Sequence, residues 1–127
     1  MFRDPSIGNH VRVETVKIMS LTGQSFGSRR HPEDKKVSAT EMLASFCDWQ
    51  TRLNHYQAGR LLYDVALLVT RENICSQPGP GGETEGEGCE ALGLAELATV
   101  CSDHSCALVQ DNGLTSAFTI AHELGHV

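Results

Sequence analysis

The chain has 127 residues, of which 40% are hydrophobic and 20% charged, and its net charge is −6. That length admits one domain at most, and the composition fits an ordinary globular protein. The acidic balance argues against nucleic acid or an anionic membrane as partner, since both reward basic patches, and no apolar run reaches the roughly 18 residues of a membrane span.

In chain order, Met1 to His10 reads as turns, with breakers at Asp4-Pro5-Ser6 and Gly8-Asn9. Met1-Phe2-Arg3-Asp4-Pro5 has no signal-peptide core, so the chain read literally would stay in the cytosol. Val11 to Leu21 reads as a strand, with Val11, Val13, Thr15 and Lys17 on one face and Arg12, Glu14, Val16, Ile18 and Ser20 on the other. Neither face is cleanly polar. Thr22 to Lys36 is a loop whose basic residues (Arg29, Arg30, His31, Lys35, Lys36) form a solvated patch.

A helix follows, capped by Ser38 or Thr40, with Glu41 completing a capping box to Ser38. Met42, Leu43, Phe46, Cys47, Trp49 and Leu53 recur at helical spacing and form a core stripe. Leu61 to Thr70 is a second strand. Its continuous apolar run, Val65 to Val69, predicts burial on both faces, with Asp64 at the entry. Gln77 to Gly88 is a Gly/Pro/Glu loop with no fold of its own, and Cys75 and Cys89 bracket it, so a disulfide could close it. Leu92 to Val100 is strand-like, centred on Leu97 to Cys101, and Cys106 to Gln110 is another short strand. After the turn Asp111-Asn112-Gly113, Thr115 or Ser116 caps a final helix. Its apolar residues Leu114, Ala117, Phe118, Ile120, Ala121 and Leu124 suit a buried element. There is no internal repeat.

Of the five cysteines (Cys47, Cys75, Cys89, Cys101, Cys106), four lie in the second half, a density that favours an oxidising compartment. Their odd number leaves at least one without a partner in this chain. The conflict between these cysteines and the absent signal segment suggests a fragment of a longer protein.

The final helix carries His122-Glu123-Leu124-Gly125-His126. Two histidines four apart lie on one face, one turn from each other, so both imidazoles can reach one metal ion. Neutral imidazole suits zinc. Zinc would lower the pKa of a bound water, and Glu123 would take its proton as the water attacks a peptide carbonyl, then pass it to the leaving amine. A catalytic zinc takes three protein ligands and water, and the motif supplies two. His10, His31, His55 and His104 are third-ligand candidates by residue type alone, and a ligand beyond Val127 is the better expectation.

Longer stretches carry a family resemblance. They are Asp4-Pro5-Ser6-Ile7-Gly8-Asn9, Ser45-Phe46-Cys47-Asp48-Trp49-Gln50, Asp64 to Arg71, Cys89 to Ala95, Thr99-Val100-Cys101, Ser105 to Val109, Asp111 to Leu114 and Ala117 to His126. Together they resemble the ADAMTS metalloproteases, secreted metzincins with thrombospondin repeats after the catalytic domain. The likeness covers nearly the whole chain except the loops Thr22–Lys36 and Gln77–Gly88.

The resemblance implies His122 and His126 as the first two zinc ligands and Glu123 as the catalytic glutamate. It places a third histidine five intervening residues after His126, and a methionine turn further on. It pairs Cys47 with Cys106 and Cys75 with Cys89, and leaves Cys101 to a cysteine outside this chain. Asp64 matches a calcium ligand, but Asn73 stands where an aspartate is usual and Gln110 where a glutamate is usual. Both replacements remove charge that calcium prefers.

The implied fold is α/β: a metzincin-type mixed five-stranded sheet with flanking helices and a zinc-binding active-site helix. Residues 1–127 would form a partial catalytic domain, incomplete at both ends, holding four of the strands. The family's first strand lies between those matching Val11–Leu21 and Tyr63–Thr70. Its loss would leave unpaired backbone groups and a marginally stable chain. The implied activity is zinc-dependent endopeptidase cleavage of extracellular matrix or secreted proteins, in a secreted, matrix location. Two alternatives stand beside it: a catalytically incompetent fragment serving as an interaction module, and a different zinc-protease clan with a downstream glutamate as third ligand.

Overall fold

The structure, a computed structural model, describes residues 2–27, 36–55, 61–75 and 91–127. It is mixed α/β. Strand β1 (Lys36–Ser38) leads directly into helix α1 (Ala39–His55). Then come β2 (Ala66–Thr70), β3 (Asn73–Cys75), β4 (Gly93–Ala95), β5 (Cys106–Gln110) and helix α2 (Ser116–His126). Among the described residues the strands form two sheets rather than one of five. β1 pairs in parallel with β3, and the second sheet has the order β2-β5-β4, with β2 parallel and β4 antiparallel to β5.

Helix α1 starts where its sequence dictates. The Glu41 backbone N–H donates to Ser38 Oγ at 3.3 Å, which makes Ser38 the capping residue. Met42, Leu43, Phe46 and Cys47 then fall on one buried face, where they meet Phe26, Val37, Ile74, Cys106 and Leu108. Phe26 sits edge-on to both Phe46 and Trp49, with ring centroids 5.5 Å apart in each pair. Cys47 and Cys106 form a disulfide with Cα atoms 5.8 Å apart, tying α1 to β5.

The same helix buries two polar side chains, Gln50 and Asn54. Each holds a loop. Gln50 Nε2 donates to the Asp103 carbonyl at 2.7 Å, beside a 2.6 Å bond from Thr51 Oγ1 to the same oxygen. Asn54 accepts from the Leu62 N–H at 2.6 Å and donates to the Tyr63 carbonyl at 3.2 Å. Both polar amide atoms of Asn54 and the Nε2 of Gln50 thus find partners in place of water, while Gln50 Oε1 is buried without one among the described residues.

Four sequence expectations change. Residues 11–21 join no ladder among the described residues, and all but Leu21, which packs against the core, lie exposed; Val16 and Ile18 are 69% and 88% accessible. A β-prone segment becomes a strand only beside a partner, and the alternation there offers no apolar face to hold one. The second strand is confined to Ala66–Thr70 and is only partly buried. It is the edge of its sheet, and the run buried on both faces is Cys106–Val109 of the central strand β5.

Leu97 to Cys101 is a turn, and the strand lies earlier, at Gly93–Ala95. Ala98 and Cys101 take positive φ values of 54° and 63°, which a ladder does not accommodate. Helix α2, finally, is not a buried element. Leu114 and Phe118 are 97% and 80% exposed, and within the helix only Ser116 and Glu123 are buried. It rests on β4 and β5 along one side. The basic residues of the first loop other than Lys36, and the Gln77–Gly88 loop, lie outside the described residues.

Candidate metal centre on the last helix

The end of β5 sets where α2 begins. Asp111 Oδ1 accepts from the Gly113 N–H at 3.0 Å, and Gly113 takes φ of 78°, a left-handed turn that suits glycine. A 3-10 turn (Gly113–Thr115) continues into α2. Neither expected cap residue caps the helix through its side chain: Thr115 makes no such bond. Ser116 is buried instead. Its Oγ accepts from the Asn112 N–H at 2.8 Å and donates to the Gln110 carbonyl at 3.4 Å, which anchors the helix start to β5.

The far end of α2 is held by the turn after β4. The N–H of Ala98 donates to the His126 carbonyl at 2.9 Å, and those of Thr99 and Val100 donate to the Val127 carbonyl at 2.7 and 2.9 Å. These donors satisfy carbonyls that a helix C-terminus leaves without intrahelical partners.

Between these anchors, His122 and His126 stand one turn apart on the exposed side. Their Nε2 atoms are 2.9 Å apart, with ring centroids 4.5 Å apart and planes nearly perpendicular. Zinc–nitrogen bonds of about 2.0–2.1 Å at a tetrahedral angle hold two ligand nitrogens about 3.3 Å apart. The imidazoles need to open by only about 0.4 Å to share a zinc ion, so these two donors fit that metal. Among the described residues no third His, Cys, Asp or Glu joins them. His10 and His104 are therefore not grouped with the pair. His31 and the side chain of His55 lie outside the described residues.

Glu123, between them in sequence, is turned into the protein against β4. It is 6% exposed and, with Ser116, one of the two buried residues of the helix. Its carboxyl pKa is raised, because burial strips water from the charged form, while the His122 and His126 charges partly oppose the shift. The wall it meets is the backbone of β4 at Gly93. The sequence pattern does not single out Gly93. A glycine inside a strand is the one available signal, since it marks close approach by another group.

The remaining predicted site residues do not gather here. Asp64 sits before β2, where its Oδ1 accepts from the Cys101 thiol at 3.7 Å and its carbonyl from the Cys101 N–H at 3.2 Å. Cys101 is a free, exposed thiol. Asn73 and Gln110 lie beyond the other end of β2 and bond each other, Gln110 Nε2 to Asn73 Oδ1, at 3.5 Å. The five-residue strand β2 thus separates Asp64 from the two amides. Cys75 is disulfide-bonded; Cys89, the partner implied for it, lies outside the described residues.

No protein-family model matches the chain. Curated proteins match it from end to end. The chain is 40% identical over 129 residues to the "A disintegrin and metalloproteinase with thrombospondin motifs gon-1" of Caenorhabditis elegans, a match covering 100% of this chain and 5% of that protein. It is 38% identical over 130 residues to the human protein with motifs 7, covering 99% of this chain and 7% of the relative. It is 41% identical over 128 residues to the Rattus norvegicus protein with motifs 4, covering 99% and 18%. The chain therefore spans less than a fifth of the length of these relatives.

Proposed function

This chain belongs to the ADAMTS family, and on that premise we propose that residues 1–127 form part of the metzincin-type catalytic domain of a secreted zinc metalloendopeptidase. The observation that carries the reading is the convergence of His122 Nε2 and His126 Nε2 to 2.9 Å, with the carboxylate of the intervening Glu123 buried beside them. Three relatives carry "metalloproteinase" in their names.

Bound zinc supplies Lewis-acid charge, which polarises a peptide carbonyl and makes water a better acid. His122 and His126 would hold the ion through Nε2, on the exposed side of α2. Glu123 acts as general base. It takes a proton as the water oxygen bonds to the carbonyl carbon, and delivers that proton to the departing nitrogen as the C–N bond breaks. Its desolvated carboxylate binds a proton more readily than an exposed one, which suits that role. The substrates would be secreted or matrix proteins, met outside the cell. No described helix is long and apolar enough to cross a membrane.

A second reading is a non-catalytic interaction module: among the described residues His122 and His126 are joined by no third donor, whereas a catalytic zinc takes three protein ligands. Zinc titration by calorimetry on the longest expressed form of the protein, together with hydrolysis of a fluorogenic peptide, separates the two. The enzyme reading expects one zinc per chain at submicromolar affinity. It also expects peptidase activity that falls by roughly 10²–10⁴-fold in Glu123→Ala, with zinc binding retained. Absent zinc binding, or activity indifferent to Glu123, sinks the enzyme reading.

A further inference from the structure

Gly93 occupies a position where glycine brings no backbone advantage. It lies inside β4, paired with Val109 of β5, and it is not among the residues with a left-handed φ. Glycine weakens a strand interior, because it loses more conformational freedom on folding and packs no side chain. Something other than the backbone must require it there.

The requirement is visible across the interface with α2. A Cβ on Gly93 would fall 2.6 Å from Glu123 Oε1, 2.7 Å from its Cγ and 2.8 Å from its Cδ. All three atoms belong to one flexible side chain. A methyl group at position 93 would therefore be accommodated by displacing Glu123, not by breaking the β4–β5 ladder. The three ladder pairs Gly93–Val109, Leu94–Leu108 and Ala95–Ala107 would remain.

We infer that Gly93 is a positioning residue: its missing side chain makes the recess that seats the Glu123 carboxylate against β4, and any larger residue swings the base out of line. The inference rests on the proposed role of Glu123. It adds a residue that acts on the base through the space it leaves. The turn beyond β4 supports the same arrangement, since Ala98, Thr99 and Val100 hold the last carbonyls of α2 and fix the helix that carries Glu123 over this recess. Misplacing a catalytic group by about 1 Å can cost on the order of 10²-fold in rate.

Two measurements on the longest expressed form of the protein test this. In the first, Gly93→Ala is compared with the parent in zinc-dependent peptide hydrolysis. The expected result is a fall in kcat of roughly tenfold to 10²-fold with KM nearly unchanged. The second needs no activity: melting temperatures of the parent, Gly93→Ala, Glu123→Ala and the double variant, all in chelator.

Gly93→Ala should lower Tm when Glu123 is present and cost nothing, or raise Tm, when residue 123 is alanine. Should the single variant fail to fold, a folded double variant gives the same answer. An equal Tm penalty with and without the Glu123 side chain overturns the inference, as does an unchanged kcat in Gly93→Ala. A parent that hydrolyses no peptide in the presence of zinc fails the functional reading before any variant is made, whereas the Tm comparison judges the Gly93–Glu123 contact by itself.

Discussion

The side-chain amide of Gln110 donates to the side-chain oxygen of Asn73 across 3.5 Å, joining the end of β5 to the start of β3. The same amide group reaches Asn112 Oδ1 at 3.2 Å, and Gln110 Oε1 accepts from the Ile74 N–H at 3.1 Å. Both polar atoms of Gln110 are thus engaged, without charge, at positions where the family resemblance implies carboxylates. Restoring carboxylates with Asn73→Asp and Gln110→Glu together removes the donor and sets two like charges about 3.5 Å apart. Between bulk-water and surface-like dielectrics such a pair costs about 1–5 kcal/mol, a fall of several °C or more in Tm for a chain of this size. In chelator the double variant should melt below the parent, and calcium should recover more of its Tm than it adds to the parent. A double variant that melts like the parent in chelator, or ignores calcium, would remove the electrostatic account of this corner.

Asp111 offers a test in pH. Its pKa lies below the ordinary 3.8, chiefly because the Gly113 backbone N–H donates to it, with a further hydrogen bond from Arg71 Nε at 3.1 Å. A depressed folded pKa means that the ionised form favours the native state. The contribution is fully present above about pH 3.8 and is lost as pH falls through the lower folded value. Asp111→Asn keeps an oxygen for the Gly113 N–H but loses the charge facing Arg71. Its Tm should lie roughly 1–3 °C below the parent near pH 7, because the pair is largely solvated. The gap should close below pH 3.8 and shrink in high salt. A gap that is constant with pH would point to a loss unrelated to charge.

How much of this was legible follows from the range of each signal. Helix α1 could be read because Met42, Leu43, Phe46 and Cys47 repeat at the helical period, and β5 because Cys106 to Gln110 is short and bounded by turn residues. β1 and β3 could not. Each is three residues long and exists through the pairing of Val37 with Ile74 and its neighbours. Gln50 and Asn54 lie outside the apolar stripe that was read for α1, yet are buried and bond the Asp103 and Leu62–Tyr63 loops. The placement of His122 and His126 side by side on α2 was legible in their spacing, a property of one helix. Its setting was not: the burial of Glu123 depends on Gly93, on another element far away in the chain. Composition left the cysteine pairings open; the Cys47–Cys106 link was implied by the family resemblance and forms where α1 packs on β5.

That link joins residues 59 apart in sequence, both buried. A cross-link closing a loop of that length restricts the unfolded chain, worth about 4 kcal/mol in the chain-entropy account and more often about 2–4 kcal/mol when measured. Cys47→Ala with Cys106→Ala avoids leaving free thiols and should lower the unfolding free energy by about 2–4 kcal/mol in urea titrations. A loss below about 1 kcal/mol would mean that α1 and β5 are held by the surrounding core without the cross-link.

Ala98 has φ of 54° while its N–H donates to the His126 carbonyl at 2.9 Å. An L-residue in that region costs about 1–2 kcal/mol, tolerated here because the turn meets the helix end through three consecutive donors, Ala98 to Val100. Glycine removes the steric cost but enlarges the unfolded ensemble by about 0.5–1 kcal/mol. Ala98→Gly should therefore gain up to about 1 kcal/mol. Proline fixes φ near −65° and has no N–H, so Ala98→Pro loses both the turn and the bond to His126, with a loss of about 3 kcal/mol or more expected. The pair of variants separates strain from bonding. Stabilisation by glycine with destabilisation by proline supports a strained clamp on the helix that carries both histidines. A glycine variant less stable than the parent would mean that residue 98 does not hold a left-handed conformation in solution.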